Sequence, residues 1–189
     1  MNPKNILAIH DRSAFRDWLS KHHATETECW VVAKRGKVAP EDSLWYLDAV
    51  EEALCFGWID STVKTVEGVT LQRFGPRTQN SRWTELNKER CRRLERAGLM
   101  TESGRRACPD LDAEFVIMPE ILDEFKAKPL AWENFCGFPP LYQRVRIDNI
   151  QRVAGSPGLY ASRLAKLIES SARAVMIGDW HDNGRLLGD

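Results

Sequence analysis

The stretch WIDSTVKTVEGVTLQRF, residues 58–74, constrains the fold more than any other, because β-branched residues alternate with polar ones on both sides of Glu67-Gly68. The pattern reads as two antiparallel strands joined by a two-residue turn, where glycine supplies the positive φ that such turns demand. With that turn, Val66 faces Val69, Lys64 faces Leu71 and Thr62 faces Arg73. Side chains alternate across a strand, so Asp60, Thr62 and Arg73 are expected on one face and Ile59, Val63 and Phe74 on the other. A slip of one residue would exchange the two faces. The Val-rich run ECWVVAKRG, closed by basic residues and Gly36, supplies a third strand near residues 29–33.

Helical periodicity surrounds these strands. Asp11 is placed to cap a helix over residues 12–23, with Phe15, Trp18, Leu19 and His22 on one side. Ser43 precedes LWYLDAVEEALCFGW, where Leu47, Val50, Ala53 and Leu54 form a face and Gly57 stands at the C-cap. After the loop GPRTQNS, Trp83, Leu86, Cys91 and Leu94 stripe a helix capped by Ser81 or Thr84 and ended by Gly98, and Thr101 caps ESGRRAC. PEILDEFKAK, PLAWENFCGF, PPLYQRVRIDNIQRVAG and GLYASRLAKLIESSARAVMIG all read as helices, with Pro119 in a first turn. The fold class is therefore α+β: a helix-dominated single domain over residues 1–189 with a small antiparallel sheet of about three strands. Within it, residues 1–108 make an α+β core and 119–178 a helical C-terminal subdomain, with PDLDAEFVIMP as the boundary most open to a hinge.

Charge and cysteine usage remove several function classes. Lys plus Arg and Asp plus Glu are both 27, so the chain has no bulk attraction to nucleic acid. No apolar run reaches the length of a membrane span or a signal segment, and the expected compartment is the cytoplasm. Cys29, Cys55, Cys91, Cys108 and Cys136 are scattered singly and read as reduced thiols. His10, His22, His23 and His181 have no metal-ligand spacing, so no metal is expected. Neither G-x-G-x-x-G nor G-x-x-x-x-G-K-[ST] is present, and no cofactor is implied.

LQRFGPRTQNSRWTELNKERCRRLERAG, residues 71–98, places Arg73, Arg77, Arg82 and Arg90 where a strand hands over to a helix. Guanidinium forks beside the free N–H groups of a helix N-terminus make an anion trap. On this reading Arg73 and Arg77 face a ligand, with Ser81, Thr84 and Trp58 beside them. The competing reading is structural: Asp60 or Glu51 neutralises Arg90, Asp60 can instead pair Arg73, Asn87 holds a loop carbonyl, and the tryptophans are core. Glu51 and Glu52 could supply an acid or base if buried, but adjacent helical glutamates more often divide into one facing solvent and one ion-paired. No acid, base or nucleophile stands out for a reaction.

ALCFGWID, RFGPRTQNSRWTELNKER, GLMTESG, PEILDEFKAKPLAWENF and FPPLYQR resemble the YdeI/OmpD-associated family, also labelled bacteriocin-protection proteins. The likeness runs from about Phe15 to about Lys166. Family members usually carry a basic A-K-x-x-E-T-R-x-x-R segment after the last apolar helix, where this chain has VAGSPGLYASRLAKLI and only Arg163 stands in the place of that run. The resemblance implies membership without naming a reaction. Three readings follow: a small-molecule or anion-binding protein linked to stress or envelope tolerance, an enzyme acting on an anionic substrate, or a protein-interaction module. The partners implied are accordingly a small anionic ligand or another protein.

Overall fold

The structure, a computed structural model, describes residues 3–78 and 81–187, so the middle of the GPRTQNS loop lies outside the described residues. The strands are β1 (Ile6–Leu7), β2 (Cys29–Val31), β3 (Ala33–Lys34), β4 (Leu44–Trp45), β5 (Trp58–Val66) and β6 (Val69–Pro76). They form a sheet of order β1-β2-β6-β5 and a separate pair β3-β4. The larger sheet is mixed, because β1 joins β2 in parallel while β2, β6 and β5 run antiparallel. The helices are α1 (Arg12–His22), α2 (Tyr46–Cys55), α3 (Glu85–Arg96), α4 (Glu102–Ala107), α5 (Pro119–Lys126), α6 (Pro129–Cys136), α7 (Pro140–Gln151) and α8 (Pro157–Ala172). The fold is α+β with a helical C-terminal part, and no helix among the described residues is long and apolar enough to cross a membrane.

The hairpin turns at Glu67 and Gly68, both with positive φ, and Val66 pairs with Val69 and Lys64 with Leu71. The expected pairing of Thr62 with Arg73 does not form. A bulge between Asp60 and Val63 puts Asp60 opposite Phe74 and Val63 opposite Gln72. Asp60 therefore shares a face with Phe74 and Val63, and Arg73 lies on the other face with its β2 partner Trp30. The physical reason is visible beside the bulge: the Tyr46 hydroxyl donates to Asp60 Oδ2 at 2.7 Å, on the face covered by α1 and α2. There, Phe15 meets Phe74 with ring centroids 5.3 Å apart, and Trp18 meets Trp58 edge-on.

Two compact units result: the described residues up to Arg82 with Arg90–Pro109, and Trp83–Glu89 with the residues from Asp110 onward. In the first unit α1 is capped by Asp11, whose side chain accepts from the Ala14 N–H. Helix α2 begins at Tyr46 without a side-chain cap, since Leu44 and Trp45 belong to β4 instead of to an N-terminal turn. Gly57 follows α2 at φ +77°. Gly98 ends α3 at φ +66°, with the Leu99 N–H bonded to the Leu94 carbonyl.

In the second unit Ile121, Phe125, Phe135, Tyr142, Val145 and Leu167 belong to one buried cluster. Prolines open α5 to α8, where the missing N–H costs nothing. The last apolar run does not stay helical: α8 stops at Ala172, Ala174 takes φ +53°, and the Ile177 N–H donates to the Tyr142 hydroxyl at 3.0 Å. This bond turns residues 174–178 back over α7.

Candidate functional site

In the first unit, the junction between β6 and the loop after it holds Arg73, Arg77 and Ser81, each with a polar side-chain contact inside the unit. Arg73 Nε lies 2.7 Å from Glu28 Oε2, and its Nη1 donates to Ser61 Oγ. That hydrogen bond holds the Glu28 carboxyl below its ordinary pKa. Arg77 Nη1 donates to Ser81 Oγ at 3.0 Å, and its backbone N–H donates to the Gly57 carbonyl. Trp58 is 1 % exposed with its indole N–H given to the His23 carbonyl, so its ring is part of the core. Arg90 is buried as well, and Asp60 is held by Tyr46. Burial pushes the Tyr46 phenol up to about 12, with Asp60 acting in the same direction.

Thr84 and Asn87 fall in the second unit. Thr84 Oγ1 accepts from the Asn87 N–H at 3.0 Å, so it caps α3, the role that the sequence assigns to Ser81 or Thr84.

Glu51 and Glu52 are both about 1 % exposed, which corrects the division into one solvated and one paired residue. Arg12 reaches Glu51 at 2.9 Å and Glu52 at 2.6 Å, Arg16 reaches Glu52 at 2.7 Å, and Arg93 reaches Glu51 at 2.8 Å. Each carboxylate thus accepts from at least two guanidiniums. A general base needs a lone pair aimed at a reacting proton, and these lone pairs already serve a network that ties α1, α2 and α3 together.

The second unit contains a cationic cavity that the sequence reading does not assemble. Arg146 and Asn149 on α7 meet Arg163 and Lys166 on α8 around a space of about 310 Å³ floored by Ile150 and Leu167. Among the described residues, no carboxylate lines it. Arg146 donates through Nη2 to the carbonyls of Ile177 and Gly178, while its buried Nε has no hydrogen-bond partner. Burial pulls this guanidinium below the usual arginine pKa, against the weaker opposing influence of Tyr142 and Asp179. Arg163 Nη1 donates to the Asn149 carbonyl at 2.6 Å, an exposed contact between α8 and α7 at the rim. A sequence signal does exist. Arg146 and Asn149, and likewise Arg163 and Lys166, stand three apart and so share a helix face. Only the packing of α7 on α8 shows that the two faces meet.

Among the described residues, no group of three or more His, Cys, Asp and Glu side chains is placed to hold a metal ion. Residues 7–107 match the model of a domain of unknown function, DUF8412. The chain belongs to that family. Residues 114–174 match a second model, described as Bacteriocin-protection, YdeI or OmpD-Associated, which supports the resemblance noted in the sequence. That match covers the helical part, including Arg146, Asn149, Arg163 and Lys166, whereas the motifs ALCFGWID and RFGPRTQNS fall in the DUF8412 region. No curated protein and no solved structure matches the chain.

Proposed function

We propose that the chain is a small-anion-binding protein whose ligand, a carboxylate or phosphate compound, sits in the cavity between α7 and α8. The observation that carries this reading is the convergence of Arg146, Arg163 and Lys166 on one space that no acidic residue lines among the described residues. Three cations with apolar walls favour a multiply charged anion, since their Coulomb attraction is screened less there than on open surface. The Arg146 guanidinium is the most buried of the three cations, and its Nε makes no hydrogen bond among the described residues. Among the described residues the lining also offers no imidazole, thiol, hydroxyl or carboxylate to move protons, which supports binding over turnover. The β6 junction is the weaker place for an anion, because Arg73 already faces Glu28. A role in bacteriocin or envelope tolerance is carried by the name of the family matched at residues 114–174, and such a role is compatible with a binding protein.

Thermal denaturation with phosphate, citrate and sugar phosphates tests this. A ligand present at about a hundred times its Kd adds about 2.7 kcal/mol to stability and raises Tm. The gain should vanish in Arg163→Ala/Lys166→Ala, whose side chains are exposed enough to remove without loss of fold. An anion-induced shift of equal size in that variant would refute the site.

A further inference from the structure

The first unit holds a cationic space of its own, on the hairpin. Val32, Ala33 and Val63 wall a volume of about 430 Å³, Thr70 and Gln72 bound it on the β6 side, and Lys34 and Arg35 stand at its edge. Among the described residues, no carboxylate lines it. Val63 is 50 % exposed, and its partner on β6 is Gln72, which is 3 % exposed. Apolar surface in reach of solvent thus lies beside a buried amide.

The bulge in β5 decides which way that amide points. Gln72 Nε2 lies 3.4 Å from the carbonyls of both Ser61 and Thr62, which have no Cα partner on β6, and 3.2 Å from the Arg73 carbonyl. Three carbonyl oxygens around one end of the amide identify that end as the nitrogen. Gln72 Oε1 is therefore the end turned to Arg35, and it accepts from Arg35 Nη2 at 3.1 Å. The Tyr46 ring supports the same guanidinium, with Arg35 Cζ 3.5 Å from its centroid. Tyr46 is held in turn by Asp60. The backbone around Arg35 is tied down as well, since Lys34 pairs with Trp45 and the Trp45 indole N–H donates to the Gly36 carbonyl at 3.1 Å. Arg35 is an exposed residue, yet it is oriented by an amide at its edge and a ring under its plane. Neither of these two partners carries a negative charge. A guanidinium has several N–H donors, and Gln72 takes one of them.

We propose that this space binds a carboxylate with an apolar tail, the carboxylate on Arg35 and Lys34 and the tail along Val32, Ala33 and Val63. A guanidinium already oriented presents its donors to a carboxylate in the planar geometry that such pairs adopt. The aliphatic walls gain by covering a tail, and a volume of several hundred Å³ is one that small ligands fill. Two cations beside aliphatic walls suit a single charge on an apolar body, whereas the three cations between α7 and α8 suit a multiply charged anion.

Octanoate titrated into the isotope-labelled full chain tests this by NMR, with acetate and octanol supplying the head group and the tail separately. Octanoate should shift the backbone amides of Ala33, Lys34, Arg35 and Gln72 saturably, while acetate and octanol at the same concentration shift them little. Arg35→Ala should weaken octanoate binding about tenfold, as loss of a charged hydrogen-bonding partner does. Val63→Asp puts a carboxylate into the lining at a position exposed enough to accept it, and should abolish binding with Arg35 still in place. Arg163→Ala/Lys166→Ala should leave the octanoate shifts unchanged, which keeps this result separate from the fate of the cavity between α7 and α8. Equal shifts from octanol, octanoate shifts that survive Arg35→Ala, or no saturable shift at these residues overturns the proposal.

Discussion

Arg12 Nε lies 2.6 Å from Glu52 Oε1, an ion pair between residues 40 apart in sequence whose carboxylate is 1 % exposed. The same guanidinium reaches Glu51, so removing it strips a partner from two buried charges at once. Arg12→Ala should lower unfolding free energy by about 3 kcal/mol, because an orphaned buried charge costs more than the pair contributes. Arg16 and Arg93 still hold the two carboxylates, which keeps the loss from being larger. Urea denaturation checks this, and a change below about 1 kcal/mol would place the network among ordinary surface pairs.

Glu28 gives a pH-dependent test of the Arg73 contact. Its folded pKa is depressed, first through the hydrogen bond from Arg73, so the stability it contributes is present above the unfolded value of about 4.3 and is lost as pH falls through the folded value. Glu28→Gln should therefore cost on the order of 1 kcal/mol at pH 7 and almost nothing near pH 3. A cost that stays constant across that range would mean that Arg73 is not the source.

Thr84→Ala should destabilise the chain by about 1 kcal/mol through loss of the α3 cap. Thr84→Ser keeps the oxygen and should recover most of that loss. Thermal denaturation of both variants separates a capping role from a ligand-binding one, since a cap acts with no anion present.

Gly104 should tolerate no side chain. A Cβ there would stand 2.2 Å from the Cys55 carbonyl oxygen, a backbone atom that cannot rotate away. Gly104→Ala should cost about 3 kcal/mol or more, as overpacking against rigid backbone does. Gly98→Ala is the control: open space surrounds Gly98, so only its φ of +66° is penalised and the loss should be smaller.

Local chemistry was the part of this fold that the sequence shows. Glu67-Gly68, Asp11, Thr101, Gly98 and the prolines opening α5 to α8 act on residues within a few positions, and each does in the structure what its type implies. Pairings that depend on packing were not legible. The bulge at Asp60 follows from a tyrosine 14 residues away, and Arg73 is held by Glu28, 45 residues away. The cationic cavity lay between the two extremes. Its spacing on α7 and on α8 is visible in the chain, yet spacing places side chains on a face without saying which face it meets.

The β-bulge divides β5 into two halves of opposite parity. Beyond it, toward the turn, the odd-numbered Val63 and Thr65 stand on the face of Gln72 and Thr70, and before it the even-numbered Trp58 and Asp60 stand on that same face with Pro76 and Phe74. One extra residue is therefore a phase shift that lets a single alternating sequence serve two partners, a polar tip and an aromatic root. A chain shortened by one residue at Ser61 or Thr62 would keep Trp58 opposite Pro76 and Val63 opposite Gln72, and would lose the bend and extra twist that the bulge gives β5. Length at this position therefore sets the curvature of the hairpin, while the alternation on either side sets its faces.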